Sequence, residues 1–474
     1  MSDLLNVKGL TIRADKRLLL DNISLTLRKG EPLVILGQTG SGKSLLLKWI
    51  MACIDPRLET TGECQVYGNT LASTKRRQLW GTDMTMLAQE PMMTLDPLMK
   101  SGEQVAEVSR FVLGMKAKLA RKKAHQDLAD YGLERAYDKR VGELSGGMAQ
   151  RLAICVSTAA NAPIVLADEP TKGLDVSRRD DVVDLLKNQT QAGGLVVVTH
   201  DVEVAGRLGG KVLVLHYGQM VEQGDVDQVL NHPQQAYTQK LVAATPKHWP
   251  ENVAQAAQAQ TILDVDNVAI ERGSQRLFGQ LSFSLKAGEI VGIVGDSGCG
   301  KSSLGDAILG NLTLKNGSIS RVLSQEKAKW LKLYQDPFSS LAKHLTLGKM
   351  LDDLVNLHHL DRSRIKPLMA RLSLREAVLN GTSSEVSGGE LQRFSILRAL
   401  LMNPTFLFAD EPTSRLDPII AKEVTLQLAQ LAREQHCGLL IVSHDPDLIR
   451  KISDRVINIS DYAPKSQSLS VGLA

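Results

Sequence analysis

The stretch "GQTGSGKS", residues 37–44, closes the apolar run "EPLVIL" and fits the spacing GxxxxGK[ST]. Each residue type there suits phosphate chemistry. Gly37, Gly40 and Gly42 let backbone N–H groups curl around phosphate oxygens, and the helix that follows adds the positive end of its dipole. Lys43 can neutralise β- and γ-phosphates, and the Ser44 hydroxyl can ligate Mg²⁺. The motif recurs as "GDSGCGKS", residues 295–302, with Gly295, Gly298, Gly300, Lys301 and Ser302 in the same places. Two further runs, "IVLADE" and "FLFADE", end in an Asp-Glu pair. A carboxylate at the C-terminal edge of a strand sits where open α/β sheets bind ligands. Asp168 and Asp410 suit a Mg²⁺ contact through water, while Glu169 and Glu411 suit polarising an attacking water. Two sites of nucleoside triphosphate hydrolysis are predicted.

A third motif, "LSGGMAQ" (144–150), has no paired carboxylates, no histidine and no cysteine. Ser145 followed by Gly146 and Gly147 at the head of a helix is a place to bind an anion. It too returns, as "VSGGELQ" with Ser387, Gly388 and Gly389. "LAQEPMMTLDP" (87–97) matches "LYQDPFSSLAK" (333–343), and "VVVTHD" (196–201) matches "LIVSHD" (440–445). Ser145 precedes Asp168 by the same interval as Ser387 precedes Asp410. The Lys301–Gln335 interval is shorter than Lys43–Gln89, so the second copy has lost a segment there. Blocks repeated in the same order show a tandem duplication.

To position these motifs, each half needs apolar strands before the glycine-rich loop, before the Asp-Glu pair and before the histidine, alternating with helices. That pattern predicts an α/β core with a largely parallel sheet. Between Gln89 and Ser145 the pattern is mostly helical, as an inserted helical subdomain would be. The boundaries expected are 1–245 for the first domain, 246–260 for a linker and 261–474 for the second. The linker is a Pro-bounded, Ala/Gln-rich stretch without core periodicity.

The 474 residues suffice for two domains with separate cores, and 43% hydrophobic with 23% charged residues is ordinary for globular protein. Lys+Arg 56 against Asp+Glu 52 leaves +4, too weak a bias to argue for a polyanionic partner. Five cysteines without CxxC spacing read as reduced thiols of a cytosolic protein rather than disulfides or a zinc site. The N-terminus lacks the pattern of a signal peptide, and apolar runs are strand-sized. Any membrane action therefore needs another protein to span the bilayer.

The order of P-loop, Gln loop, LSGGxxQ, Walker B Asp-Glu, D-loop and histidine resembles the ATP-binding subunits of ABC transporters, over nearly the whole chain. The fold this implies is α/β, two tandem P-loop NTPase (ABC-type) nucleotide-binding domains, each with an inserted helical subdomain. "QEPMMTLDPL", "YQDPFSSL" and the tail "GQMVEQGDVDQVLNHPQQAYTQKLVAATP" are similar to the dipeptide/oligopeptide/nickel importer group, whose two ATPases are usually separate chains. The resemblance implies ATP and Mg²⁺ as ligands. It assigns Gln89 and Gln335 to sensing Mg²⁺ and γ-phosphate and relaying to a permease. His200 and His444 fall to the γ-phosphate, and Asp175 and Asp417 to communication between halves. Ser145, Gly147, Ser387 and Gly389 would bind ATP held by the opposite half, in a head-to-tail pairing.

The partners it implies are two transmembrane permease subunits and, through them, an extracytoplasmic solute-binding protein. The chain itself would lie peripherally on the cytoplasmic face of the inner membrane. Peptides, nickel or metal chelates and opine-like solutes all stay open as substrates. Met92, Met93 and Phe338 could line the groove that receives the permease, or pack in the core. The alternative is a soluble tandem ABC ATPase acting on ribosomes or nucleic acid. Its relatives carry a long, charged linker, whereas this one is short and nearly uncharged, and no nucleic acid is expected. Three departures from the family stand out. No aromatic residue precedes either P-loop to stack on adenine, leaving Arg13 or Arg272 for that role. Lys172 and Arg415 occupy D-loop positions where small residues are common. The cysteine cluster many relatives carry in the tail is missing.

Overall fold

The computed structural model describes residues 2–89, 94–172, 174, 176–250, 259–273, 275–296, 298–321, 329–414 and 416–464. Strands that are buried throughout and apolar up to, at most, a polar last residue lie in the middle of each half. In the first half these are β3 (Leu33–Leu36), β7 (Ile164–Asp168) and β8 (Gly194–Thr199). Uninterrupted apolar strands without alternation belong to parallel sheets covered on both faces. With β6 (Met84–Leu87), β9 (Lys211–His216) and β10 (Gln219–Asp225) they form a sheet ordered β10-β9-β3-β8-β7-β6. All its pairs are parallel except the β9–β10 hairpin.

The second half repeats the arrangement with β13 (Ile290–Val294), β15 (Trp330–Leu333), β16 (Phe406–Asp410), β17 (Gly438–Val442) and β18 (Arg455–Asn458), ordered β15-β16-β17-β13-β18. The α/β core and its parallel sheet are thus as expected. Each half also carries an antiparallel sheet that the sequence pattern did not announce. In the first half β1 (Asp3–Ala14), β2 (Arg17–Arg28), β4 (Glu59–Val66) and β5 (Asn69–Thr70) are ordered β2-β1-β4-β5. In the second, β11 (Thr261–Arg272), β12 (Gln275–Lys286) and β14 (Asn316–Arg321) are ordered β12-β11-β14.

The segment between the Gln loop and the LSGGxxQ motif is helical in both halves. It holds Ser101–Phe111 and Ala117–Asp130 in the first, Leu347–His358 and Ile365–Arg371 in the second. Helix Ala117–Asp130 buries Ala120, Ala124 and Leu128 and leaves Lys118, Arg121 and Lys122 exposed, with Arg121 paired to Glu103 at 3.0 Å.

The chain divides into two units, Met1–Thr245 and Pro246–Ala474. Part of the stretch expected as linker is structured. Pro246–His248 form a short 3-10 helix, and Trp249, 4% exposed, packs into the helical core of the second unit beneath the Lys422 ammonium. One tryptophan in an otherwise polar stretch has enough apolar area to dock it. Residues 251–258 of the same stretch lie outside the described residues.

One packing detail separates the two copies. Helix Lys301–Ile308 lies so close to β16 that a Cβ on Gly305 would stand 2.2 Å from the Phe408 ring. The matching first-half residues are Leu47 and Leu166, both fully buried in one core cluster.

Candidate functional site

Each P-loop runs from the end of a central strand into a helix, Lys43–Ile50 or Lys301–Ile308. The turn needs backbone angles open to glycine. Gly42 and Gly300, the N-caps, have φ 98° and 108°, and Gly40 and Gly298 have φ 83° and 85°. At Gly42 a Cβ would also meet Leu20 at 2.4 Å, so the loop depends on its absence there.

The lysines fold back onto their own loops. Lys43 Nζ donates to the carbonyls of Gly37 (2.6 Å) and Gln38 (2.9 Å), and Lys301 Nζ to those of Gly295 (2.7 Å) and Asp296 (3.0 Å). The other end of the same peptide group is also held. The Gln38 N–H donates to the Tyr237 hydroxyl at 2.9 Å, and the Asp296 N–H to Ser460 Oγ at 3.2 Å. Tyr237 lies in the tail of the first half, its ring stacked on His216 with centroids 3.8 Å apart. Each loop is therefore clamped from a distant point of its own half, by different side chains.

Asp168 and Asp410 lie at the ends of their strands, 4% and 6% exposed, and burial raises both carboxyls above the usual range. The Ser44 hydroxyl donates to Asp168 Oδ1 at 3.0 Å, and Ser302 bonds Asp410 likewise. Glu169 and Glu411 follow at φ 48° and 49°, the left-handed region that bulky residues avoid. This turn brings the glutamate under the next strand's histidine. Glu169 Oε1 is 2.9 Å from His200 Nδ1 and 4.0 Å from Lys43 Nζ; Glu411 Oε1 is 2.5 Å from His444 Nε2. Burial pushes the Glu169 pKa up, but its bond to His200 and the charges of His200 and Lys43 outweigh that and hold it below the usual value. Burial likewise works against a charged His200, and the Glu169 carboxylate overcomes it, so His200 is raised.

The two Gln loops differ. Gln335 Nε2 donates to Glu411 Oε2 at 2.7 Å, whereas Gln89 makes no side-chain hydrogen bond among the described residues. Ser145 and Ser387 cap their helices, accepting from the N–H groups of Met148 and Glu390, each at 3.3 Å. Gly146, Gly147, Gly388 and Gly389 form the first turns. Glu390 closes a capping box that Met148 cannot: its carboxylate accepts from the Ser387 backbone N–H at 3.2 Å and pairs with Arg375 at 2.8 Å. Asp417 caps helix Pro418–Glu434 through the Ile420 N–H at 3.2 Å. Lys172 is exposed, and Arg13 and Arg272 are exposed near the inner ends of β1 and β11. Phe338 packs against the second unit's helical core. Asp175, Met92, Met93 and Arg415 lie outside the described residues.

Several supporting residues escaped the motif reading. Gln150 donates to the Pro170 carbonyl and Gln392 to the Glu411 carbonyl at 3.2 Å, so the last residue of each SGGxxQ segment braces the turn carrying the glutamate. Both glutamines recur at a fixed motif position, which was the available signal. Tyr237 and Ser460 gave none, because they act on backbone.

The pieces fit a nucleoside triphosphate with a metal. Among the described residues the buried Ser41 hydroxyl in the P-loop has no hydrogen-bond partner, and space beside Gly40 is open. Among the described residues no group of three His, Cys, Asp or Glu could hold a metal alone. A serine hydroxyl and one carboxylate per site instead suit a Mg²⁺ that takes its other oxygens from phosphates and water.

Comparison with known proteins agrees. A sequence profile of the ABC transporter family matches residues 20–172 and 278–414. The glutathione import ATP-binding protein GsiA of Escherichia coli is 30% identical, covering 92% of this chain and 80% of that protein. The peptidoglycan transport ATP-binding protein YejF of Agrobacterium fabrum is 31% identical, covering 92% of this chain and 86% of that protein. A solved structure of RNase-L Inhibitor covers 94% of this chain and 87% of its own at TM-score 0.70, and its 19% identity speaks to fold alone. No helix among the described residues is long and apolar enough to cross a membrane. Two P-loops, two SGGxxQ helices and two strand-end Asp-Glu pairs, with 30% identity to an import ATP-binding protein over 92% of the chain, make this chain an ATPase of the ABC transporter family.

Proposed function

We propose that this chain energises an importer of small peptide-like solutes by hydrolysing ATP at two sites, through two separate transmembrane permease subunits. The observation that carries the reading is the doubled catalytic set: each half has its lysine, serine, Asp-Glu pair and histidine within one sheet edge. The peptide-like class rests on the names of the relatives, since glutathione and peptidoglycan both carry peptide bonds. A solute-binding protein outside the membrane would deliver the substrate.

In this reading Lys43 and Lys301 leave their loop carbonyls for the β- and γ-phosphates. Mg²⁺ would be held through Ser44 and Asp168, and through Ser302 and Asp410, and supplies neutralisation of phosphate charge. Glu169 and Glu411 orient and deprotonate the attacking water, while His200 and His444 hold the glutamates and reach the γ-phosphate. Ser145 and its glycines complete the site on Lys301, and Ser387 and its glycines the site on Lys43. A γ-phosphate that bridges both halves gives ATP, but not ADP, the differential affinity that closes them. Asp175 and Asp417 carry the state of one site to the other, and Gln89 and Gln335 pass it to the permease.

The test is Glu169→Gln combined with Glu411→Gln. It should retain ATP in a closed form and lose at least about 100-fold in turnover, the scale of a general base. Rapid turnover in that double variant overturns the assignment.

A further inference from the structure

In the first half the inserted helices Ser101–Phe111 and Ala117–Asp130 are joined by a turn that exposes large apolar side chains. Phe111 is 70% exposed, Leu119 54% and Leu113 41%. Arg110, Lys116, Lys118 and Lys122 are exposed among them. From Val108 to Gln126 the chain has six Lys or Arg residues and no Asp or Glu. Arg121 is paired with Glu103, and Lys123 with Asp127. The other four cations form no ion pair among the described residues, and the Arg110 guanidinium lies 5.0 Å from the centre of the Phe111 ring. The turn itself is closed. The Val112 N–H donates to the Val108 carbonyl at 2.9 Å, the Met115 N–H to that of Ser109 at 3.1 Å, and Gly114 takes φ 67°. Apolar groups held in water on such a frame add nothing to the core, and a patch of this kind marks a surface that meets something else.

The corresponding helices of the second half, Leu347–His358 and Ile365–Arg371, carry a different surface on the same frame. Their basic residues are neutralised at home. Lys349 pairs with Asp353 at 2.7 Å, Arg362 with Asp352 at 2.7 Å, Lys366 with Glu376 at 3.1 Å and Arg371 with Glu434 at 2.9 Å. Arg364 donates to the carbonyls of Leu400 and Leu401. Among the described residues of this hairpin, Leu357 is the one large apolar side chain that is mostly exposed. Unpaired charge and exposed apolar area thus occur together in one copy of the duplication and not in the other.

We infer that the tip of the first helical hairpin binds the surface of an anionic phospholipid bilayer directly. Arg110, Lys116, Lys118 and Lys122 meet the headgroup phosphates, while Phe111, Leu113 and Leu119 enter the boundary with the acyl chains. Charge complementarity and apolar area together select this occupant. A bilayer offers an anionic layer and an apolar layer a few ångströms apart, and long lysine stems let the ammonium stay in the first while neighbouring rings reach the second. A nucleic acid would satisfy the four cations and leave three apolar side chains in water. The inference rests on the importer reading only in placing the chain beside a membrane, and it adds a contact that needs no permease. With the second hairpin neutralised, the lipid contact belongs to the first half alone.

The experiment uses the purified full chain with protein-free vesicles of phosphatidylcholine, alone or with about one-third phosphatidylglycerol. The chain should co-sediment with the anionic vesicles and not with the neutral ones. Lys116→Gln, Lys118→Gln and Lys122→Gln combined should weaken binding about 100-fold, since each basic residue near such a surface contributes roughly five-fold. Phe111→Ser with Leu119→Ser should weaken it at least about ten-fold. A separate variant keeps the apolar surface: Phe111→Trp should show emission shifted to shorter wavelength on anionic vesicles, read as a difference from the native chain, and Leu357→Trp should not. Equal binding to neutral vesicles, undiminished binding in the triple lysine variant, or an unmoved Phe111→Trp emission each overturns the inference. So does an equal shift at Leu357→Trp. Polyuridylate that shifts the Phe111→Trp emission as far, at matched phosphate, also overturns it and makes the occupant a nucleic acid. Each of these failures leaves the importer reading standing, since no permease takes part.

Discussion

Tyr237→Phe deletes one oxygen atom and keeps the ring on His216, so it isolates the clamp on the first P-loop. The Gln38 N–H then loses its acceptor while Lys43 still grips the carbonyl of the same peptide. Leaving a buried donor unpaired costs about 1–3 kcal/mol. This bond is only partly buried, so water recovers part of the loss and the lower half of that range applies. A cost of about 1–2 kcal/mol falls on the loop conformation that receives phosphate, and apparent affinity drops with the population of that conformation. The expected result is ATP binding weakened roughly 5- to 30-fold. Equilibrium titration with a fluorescent ATP analogue measures it, in a chain carrying Lys301→Ala so that only the first site reports. Ser460→Ala with Lys43→Ala is the matched experiment on the second loop, and its longer 3.2 Å bond predicts the smaller change. Affinities within about two-fold of the parent chains in both experiments would refute the clamp, since the loops would then hold their shape unaided.

Two further outcomes follow from the site. His200 is raised and Glu169 lowered, so their mutual stabilisation is fully present below the ordinary histidine value of about 6.5 and above the ordinary glutamate value of about 4.3. The melting-temperature gap between the native chain and His200→Ala should be widest in that window and shrink as pH rises through the raised value; a gap that widens above pH ~8 contradicts the pairing. Gly42→Ala combines a left-handed residue with a Cβ 2.4 Å from Leu20, so it should destabilise the first half by about 2 kcal/mol or more and abolish ATP binding there; near-native affinity would mean the loop has another conformation available.

The motifs carried most of the site because phosphate chemistry fixes both residue type and spacing. Lys43, Ser44, Asp168, Glu169 and His200 converge as their order implied, and the buried apolar strands β3, β7 and β8 made the parallel sheet legible. The antiparallel sheets were harder to read. Register shifts interrupt β1 at several points, so its alternation never runs long enough to signal a half-buried strand. Tyr237 and Ser460 could not be matched to each other, since different side chains at unaligned positions serve the same backbone N–H. Trp249 hid within a stretch whose composition otherwise reads as linker, and one anchoring side chain leaves no periodicity.

The Gly305–Phe408 contact bears on the history of the duplication. The two copies fill the space between the P-loop helix and the Asp-Glu strand differently, with glycine and phenylalanine in one and leucine with leucine in the other. Genetic exchange between the repeats with a breakpoint between these positions would unite leucine with phenylalanine, or glycine with leucine. The first pairing is overfilled and the second leaves a void, each at a cost of about 1–3 kcal/mol or more. Gly305 lies on the first turn after Lys301 and Phe408 on the strand that ends in Asp410, no place to absorb that in a protein of ordinary marginal stability. Such an incompatibility penalises gene conversion across the halves, and so helps to keep two sequences that began identical free to diverge.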